Sequence, residues 1–188
     1  DFPAFLGKKQ GILTNSGSSA NLLMMSALTS EKFNLKKYHL PRGSKIITPV
    51  VCFPTTLNPI LQCGFEPVFV DVDMPSLNLN LDQVEEKLKA DPNIKALIFA
   101  HVLGNPPDMY RLMALVEEYD LILLEDCCDG LGSTYDGKKL GTFGHMSTCS
   151  FYPAHHMTMG EGGFVATDIY ILRKALASFR DWGRGCYC

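Results

Sequence analysis

The sequence predicts an α/β domain built around a mainly parallel sheet. Three observations carry this. Short apolar, β-rich runs alternate with helical patterns along the chain. Those runs are nearly continuous in their hydrophobicity, as strands covered by helices on both faces are. The connections between them are short and hold the turn-forming residues, with no internal repeat and no low-complexity segment.

Taken in order, a helix is predicted over 19–28, an apolar stretch entered from a Ser/Gly turn. A strand over 45–51 follows the turn Pro41-Arg-Gly43, and a helix over 55–63 leads to a strand over 67–72. The helix at 81–90 opens on Asn80-Leu-Asp82, where a side chain can cap the first turn. Residues 94–101 form the next strand, the loop Gly104-Asn-Pro-Pro107 follows, and Pro107 sits near the start of a helix over 108–119. Strands at 121–125, 146–151 and 163–167 and a helix at 169–182 complete the pattern. In such a sheet, ligands gather at the carboxyl ends of the strands.

Composition narrows the function classes. The 188 residues can bury a full core, with 46% hydrophobic and 20% charged residues and a net charge of -3. The 17 Lys and Arg are scattered, which argues against a nucleic-acid surface. The longest apolar run, 94–104, is interrupted by Lys95 and His101 and reads as a buried strand, not a membrane span. Seven cysteines in a chain of this size do not suggest a disulfide framework; redox or metal chemistry in a reducing cytoplasm fits better. The chain starts at Asp1 with no initiator Met and is expected to be a fragment.

Several residues stand where chemistry collects. Asn15-Ser-Gly-Ser-Ser-Ala-Asn21 directly precedes a helix, so free amides, small hydroxyls and the positive helix end converge. This is either a phosphate site or an ordinary serine cap. Asp126 closes the apolar strand Leu121-Ile-Leu-Leu-Glu-Asp126, where it either meets a ligand, such as a pyridinium nitrogen, or caps the next turn. Phe53 follows a strand end and either stacks on a flat cofactor or packs in the core. His101, at the end of another strand, reads as a satisfied, partly buried histidine in preference to a catalytic one. Ser150-Phe-Tyr-Pro-Ala-His-His-Met-Thr-Met-Gly-Glu-Gly-Gly163 places two histidines between a strand end and a glycine cluster.

The ordered set Ser16-Gly-Ser-Ser-Ala20, Thr48-Pro-Val-Val-Cys-Phe53, Phe69-Val-Asp-Val-Asp73, His101-Val-Leu-Gly-Asn105, Glu125-Asp126 and Ser150-Phe-Tyr-Pro…Gly160-Glu-Gly-Gly163 resembles the DegT/StrS-type sugar aminotransferases. The resemblance spans nearly the whole chain. It implies the aspartate-aminotransferase fold, with this chain (1–188) as its coenzyme-binding large domain and the N-terminal segment and the C-terminal small domain missing. It also implies a pyridoxal-phosphate coenzyme, nucleotide-linked keto-sugar substrates and a homodimer. By position, Gly17, Ser18 and Ser150 would serve the coenzyme phosphate, Phe53 would stack on its ring and Asp126 would pair with its nitrogen.

In that family the stretch reads Ser-Phe-x-x-x-Lys, and the lysine anchors the coenzyme covalently. Here the sixth position is His155. Imidazole cannot form that stable bond but can carry protons near neutrality. Histidine at this position resembles one subgroup, the 3-dehydrases of CDP-4-keto-6-deoxyhexose in 3,6-dideoxysugar synthesis for lipopolysaccharide O-antigen. These use pyridoxamine phosphate, and His155 would be their base.

One version of the subgroup adds a [2Fe-2S] cluster fed by an NADH-dependent flavin/iron–sulfur reductase. Cys128, Cys186 and Cys188 match its C-x57-C-x-C-x7-C pattern, whose fourth cysteine would fall at position 196, beyond this chain. Zinc is the other metal reading. Cys52, Cys63, Cys127 and Cys149 look structural, and His156 looks like a supporting neighbour. The alternatives to the cluster-bearing dehydrase are a cluster-free sugar 3-dehydratase, an aminotransferase homologue, or a non-catalytic domain that binds pyridoxal phosphate.

Overall fold

A computed structural model describes residues 2–185. In chain order its elements are α1 (Phe2–Leu6), β1 (Gln10–Thr14), α2 (Gly17–Ala27), β2 (Lys45–Pro49), α3 (Pro54–Gln62), β3 (Glu66–Val70), β4 (Val72–Asp73), β5 (Asn78–Leu79), α4 (Leu81–Ala90), β6 (Ile94–Ala100), α5 (Met109–Glu118), β7 (Ile122–Asp126), β8 (Thr134–Tyr135), β9 (Lys138–Lys139), β10 (Met146–Ser150), β11 (Gly163–Thr167) and α6 (Tyr170–Arg180). All six predicted strands and all five predicted helices are present, with ends shifted by a residue or two. Elements also lie where the sequence predicts none: α1, the edge strand β1 and the two-residue strands β5, β8 and β9.

The central sheet has the order β1-β11-β10-β7-β6-β2-β3. Strands β10, β7, β6, β2 and β3 run parallel, while β11 is antiparallel to both β10 and β1. Consecutive residues of the parallel strands feed two separate cores, because a strand sends alternate side chains to opposite faces. Ile46, Ile98, Ile122 and Leu124 pack with α2 and α6 on one face. Ile47, Leu97, Phe99 and Leu123 pack with α4 and α5 on the other. This double coverage is why the strands read as unbroken apolar runs. Among the described residues no helix is long and apolar enough to cross a membrane.

The same alternation continues to the end of β7. Glu125 faces the α4/α5 side with His101, and Asp126 faces the α2/α3 side. Glu125 and His101 are fully buried. His101 Nε2 lies 2.9 Å from Glu125 Oε2, the Gly141 amide donates to the same oxygen at 2.9 Å, and the Gly144 amide donates to Oε1 at 2.5 Å. The pair therefore locks the ends of β6 and β7 to the loop before β10. His101 is satisfied at Nε2 as expected from sequence, but it is fully and not partly buried, and its Nδ1 is buried with no partner.

Glycine is required where α2 meets the sheet. A Cβ on Gly163 would stand 2.1 Å from the Ser16 carbonyl oxygen, so only glycine lets β11 pass beneath the cap of α2.

Burial pushes the Glu125 carboxyl up, but the hydrogen bond and charge of His101, with the Gly144 and Gly141 amides, outweigh it and hold the group below the usual carboxylate range. A depressed carboxyl adds stability that is complete above its unfolded value, about 4.3, and is lost as pH falls through the folded value. Glu125→Gln should therefore cost about 3 kcal/mol at pH 7. In urea titrations repeated at lower pH, the gap between the two proteins should narrow below about pH 4.3, since only the wild type loses this contribution there.

Candidate active site

The site forms at the carboxyl ends of the parallel strands, where the Asp126 carboxylate is buried, 4% exposed. Its carboxylate is tied to three elements. Asn21 Nδ2, on α2, donates to Oδ2 at 2.7 Å, and Thr56 Oγ1, in the first turn of α3, donates to the same oxygen at 2.8 Å. The Cys128 amide donates to Oδ1 at 3.1 Å. Such an arrangement suits an ionised carboxylate, which is acceptor-only and offers about four lone-pair positions. The remaining position on Oδ1 faces the Cys128 thiol, a weak donor that an incoming N–H can displace.

The N-terminus of α2 lies next to this carboxylate. Ser16, in extended conformation, caps the helix by accepting the Ser19 amide at 3.0 Å. The amides of Gly17 and Ser18 then have no intrahelical acceptor, as at any helix start. A Cβ on Gly17 would come within 2.5 Å of Ser150 Cβ and 3.1 Å of Cys128 Sγ. Only glycine brings α2 this close to the end of β10 and to the turn after β7. Gly17 and Ser150 are buried, Ser18 is exposed, and the Ser150 hydroxyl accepts the Tyr152 amide at 3.3 Å. The set therefore offers two free amides and small hydroxyls at a positive helix end, a chemistry matched to a phosphate.

Phe53 is the N-cap residue of α3, and its carbonyl accepts the Thr56 amide at 2.9 Å. Its ring is 67% exposed, so it does not pack in the core. The helix that carries Thr56 to Asp126 thus also presents a free aromatic face beside the same strand ends. A flat ring with a nitrogen donor and a phosphate fits these three features together: Phe53, Asp126 and the α2 N-terminus.

His155 lies in the turn after β10, with its backbone amide donating to Tyr152 O at 3.0 Å. Its side chain is 23% exposed and Nδ1 stands 3.6 Å from Asp129 Oδ1, across from the turn that follows β7. The imidazole faces this polar opening and not the apolar interior. His156 is exposed.

Of the three cysteines in the predicted cluster pattern, Cys186 and Cys188 lie outside the described residues. Cys128 is half-buried. Burial, and then the Asp126 charge, push its thiol well up. A bound metal would reverse that by stabilising the thiolate. Cys52, Cys63, Cys127 and Cys149 are free, and all but Cys52 are buried.

Sequence reasoning missed Asn21, Thr56, Thr148 and Asp129. The available signal was weak: an asparagine and a threonine on otherwise apolar helix faces, near strand ends, where a buried polar group needs a partner.

Residues 1–186 match the model of the DegT/DnrJ/EryC1/StrS aminotransferase family. The lipopolysaccharide biosynthesis protein RfbH of Salmonella typhimurium is 50% identical over 184 residues, which cover 98% of this chain and 41% of that protein. The dTDP-4-dehydro-2,6-dideoxy-D-glucose 3-dehydratase of Saccharopolyspora spinosa is 47% identical over 188 residues, covering all of this chain and 40% of that protein. Among solved structures, the E. coli GDP-4-keto-6-deoxy-D-mannose-3-dehydratase with bound hydrated PLP superposes with a TM-score of 0.88 at 36% identity, covering 95% of this chain and 44% of that one. This chain thus spans less than half the length of these relatives. The architecture and the match over almost its full length agree: the chain belongs to the DegT/DnrJ/EryC1/StrS aminotransferase family.

Proposed function

We propose that this chain is the coenzyme-binding part of a pyridoxamine-phosphate-dependent 3-dehydrase that acts on a nucleotide-linked 4-keto-6-deoxy sugar. One observation carries the reading. The position where the family pattern has its anchoring lysine holds His155, and that imidazole opens onto the polar mouth beside Asp129, at the strand ends that also carry Asp126. Two of the relatives above bear names of sugar 3-dehydratases, which supports the reaction class.

When bound, pyridoxamine phosphate supplies an amine that condenses with the sugar C4 carbonyl and a ring that takes up electron density. The chain's own residues do the rest. The Gly17 and Ser18 amides and the Ser150 hydroxyl hold the phosphate. Phe53 covers the ring, and the open position on Asp126 Oδ1 receives the ring N–H. Asp129, facing Nδ1 of His155, would leave Nε2 as the nitrogen that takes a proton from the methylene carbon bearing the coenzyme amine, and the imidazolium so formed could return a proton to the departing C3 hydroxyl, which would leave as water. No side chain anchors the coenzyme covalently, so it can be exchanged.

The finer reading is the CDP-linked sugar, with a [2Fe-2S] cluster on Cys128, Cys186, Cys188 and a fourth cysteine. A partner NADH-dependent flavin/iron–sulfur reductase would deliver two electrons, one at a time, and the enzyme would work as a cytoplasmic homodimer in dideoxysugar and O-antigen synthesis. Its support is the cysteine spacing and the place of Cys128, whose amide is bonded to Asp126.

Two outcomes are expected of the full-length protein. His155→Lys incubated with pyridoxal phosphate and reduced with borohydride should gain the coenzyme mass on residue 155, while wild type gains none; turnover should fall about 100-fold or more. Protein purified anaerobically should hold about two iron atoms per protomer, lost in Cys128→Ser. Iron-free protein that is fully active with glutamate as amino donor would replace the cluster reading with the cluster-free one.

A further inference from the structure

Asp126 is held by more than the strand it closes. Oδ2 receives two side-chain donors from two different helices, Asn21 from α2 at 2.7 Å and Thr56 from α3 at 2.8 Å. Behind Asn21 stands a third side chain: Thr148 Oγ1, on β10, donates to Asn21 Oδ1 at 2.6 Å. All three are buried.

The chemistry of the chain of bonds fixes its direction. A carboxylate oxygen only accepts, so the amide nitrogen of Asn21 must face Asp126 and the amide oxygen must face away. That oxygen needs a donor, and the Thr148 hydroxyl supplies one. Flipping the Asn21 amide would set two acceptors against each other at 2.7 Å and leave its NH2 facing the Thr148 hydroxyl. The order Thr148 to Asn21 to Asp126 is thus the one in which every buried polar atom is paired.

Glu125 is held in the same way, with two donors on one oxygen and one on the other, but Asp126 stands at the site. With both lone pairs of Oδ2 occupied, and one of Oδ1 taken by the Cys128 amide, the carboxylate cannot rotate without breaking two buried hydrogen bonds. We infer that Asn21 and Thr56 are positioning residues: by filling Oδ2 they turn the open acceptor position of Asp126 Oδ1 toward the ring nitrogen of the coenzyme, with Thr148 fixing the Asn21 amide. The inference rests on the proposed coenzyme and adds to it the residues that aim its partner. A charge-assisted hydrogen bond is strong only when it is well aligned, so the aim of this oxygen decides how much the ring nitrogen contributes to binding.

A comparison of two ligands separates aim from general integrity. Pyridoxamine phosphate and its deaza analogue, in which carbon replaces the ring nitrogen, share the phosphate, the amine and the stacking face. Equilibrium dissociation constants for both are measured on the full-length protein by fluorescence quenching. Wild type should prefer pyridoxamine phosphate. Thr56→Val, which keeps the shape and removes the hydroxyl, should reduce that preference about 5-fold, and the Asn21→Leu/Thr56→Val double variant about 30-fold, with analogue affinity nearly constant. Thr56→Ser, which retains the donor, should restore the wild-type ratio. Equal weakening of both ligands, or an unchanged ratio in Thr56→Val, would overturn the inference while leaving the coenzyme reading in place. Failure of wild type to bind pyridoxamine phosphate at all would overturn the coenzyme reading, and the inference with it.

Discussion

The constraint on which the rest of the structure depends is a charged carboxylate placed at the end of a strand that is buried on both faces. Burying an ionised group is costly unless donors replace the water it loses. Asp126 meets that requirement with side chains from α2 and α3 and an amide from the following turn. Each of these bonds also fixes something else. The Asn21 bond draws α2 onto the sheet, the Thr56 bond draws the start of α3 across it, and the Cys128 bond shapes the turn that carries Asp129 to His155.

Neighbouring residues on one strand carry two separate tasks. Glu125 points toward α4 and α5, where His101 and two loop amides neutralise it and clamp β6, β7 and the loop before β10. Asp126 points the other way and keeps one acceptor position open. The first carboxylate is spent on rigidity and the second is left available, and the period of a β-strand is what keeps them apart. Glycines set the remaining distances. Gly163 admits the cap of α2 and Gly17 admits Ser150, so the free amides of the helix and the hydroxyl of β10 meet within a few ångströms of the turn after β7.

The sequence made much of this legible, for physical reasons that can be named. Continuous apolar runs such as 94–101 are forced by helices on both sides, so the parallel strands were readable. Strand β1 was not, because it is a five-residue edge strand with Gly11 inside it and Leu13 half out of the sheet. The reversed direction of β11 left no mark either, since its residues are buried on both faces like those of the parallel strands. In the site, Gly17, Ser150, Asp126 and His155 stood out as candidates because they fall in ordered motifs. Asn21 and Thr56 were not, because a lone polar residue in an apolar helix announces a partner but not which one.

The central claim is that the charge of Asp126, aimed by its neighbours, is the principal hold on a coenzyme that has no covalent tether. The most direct measurement is the dissociation constant of pyridoxamine phosphate for full-length Asp126→Asn, which keeps the shape and removes the charge. A loss of one charge-assisted hydrogen bond predicts about 10- to 100-fold weaker binding. Binding equal to wild type would contradict the account.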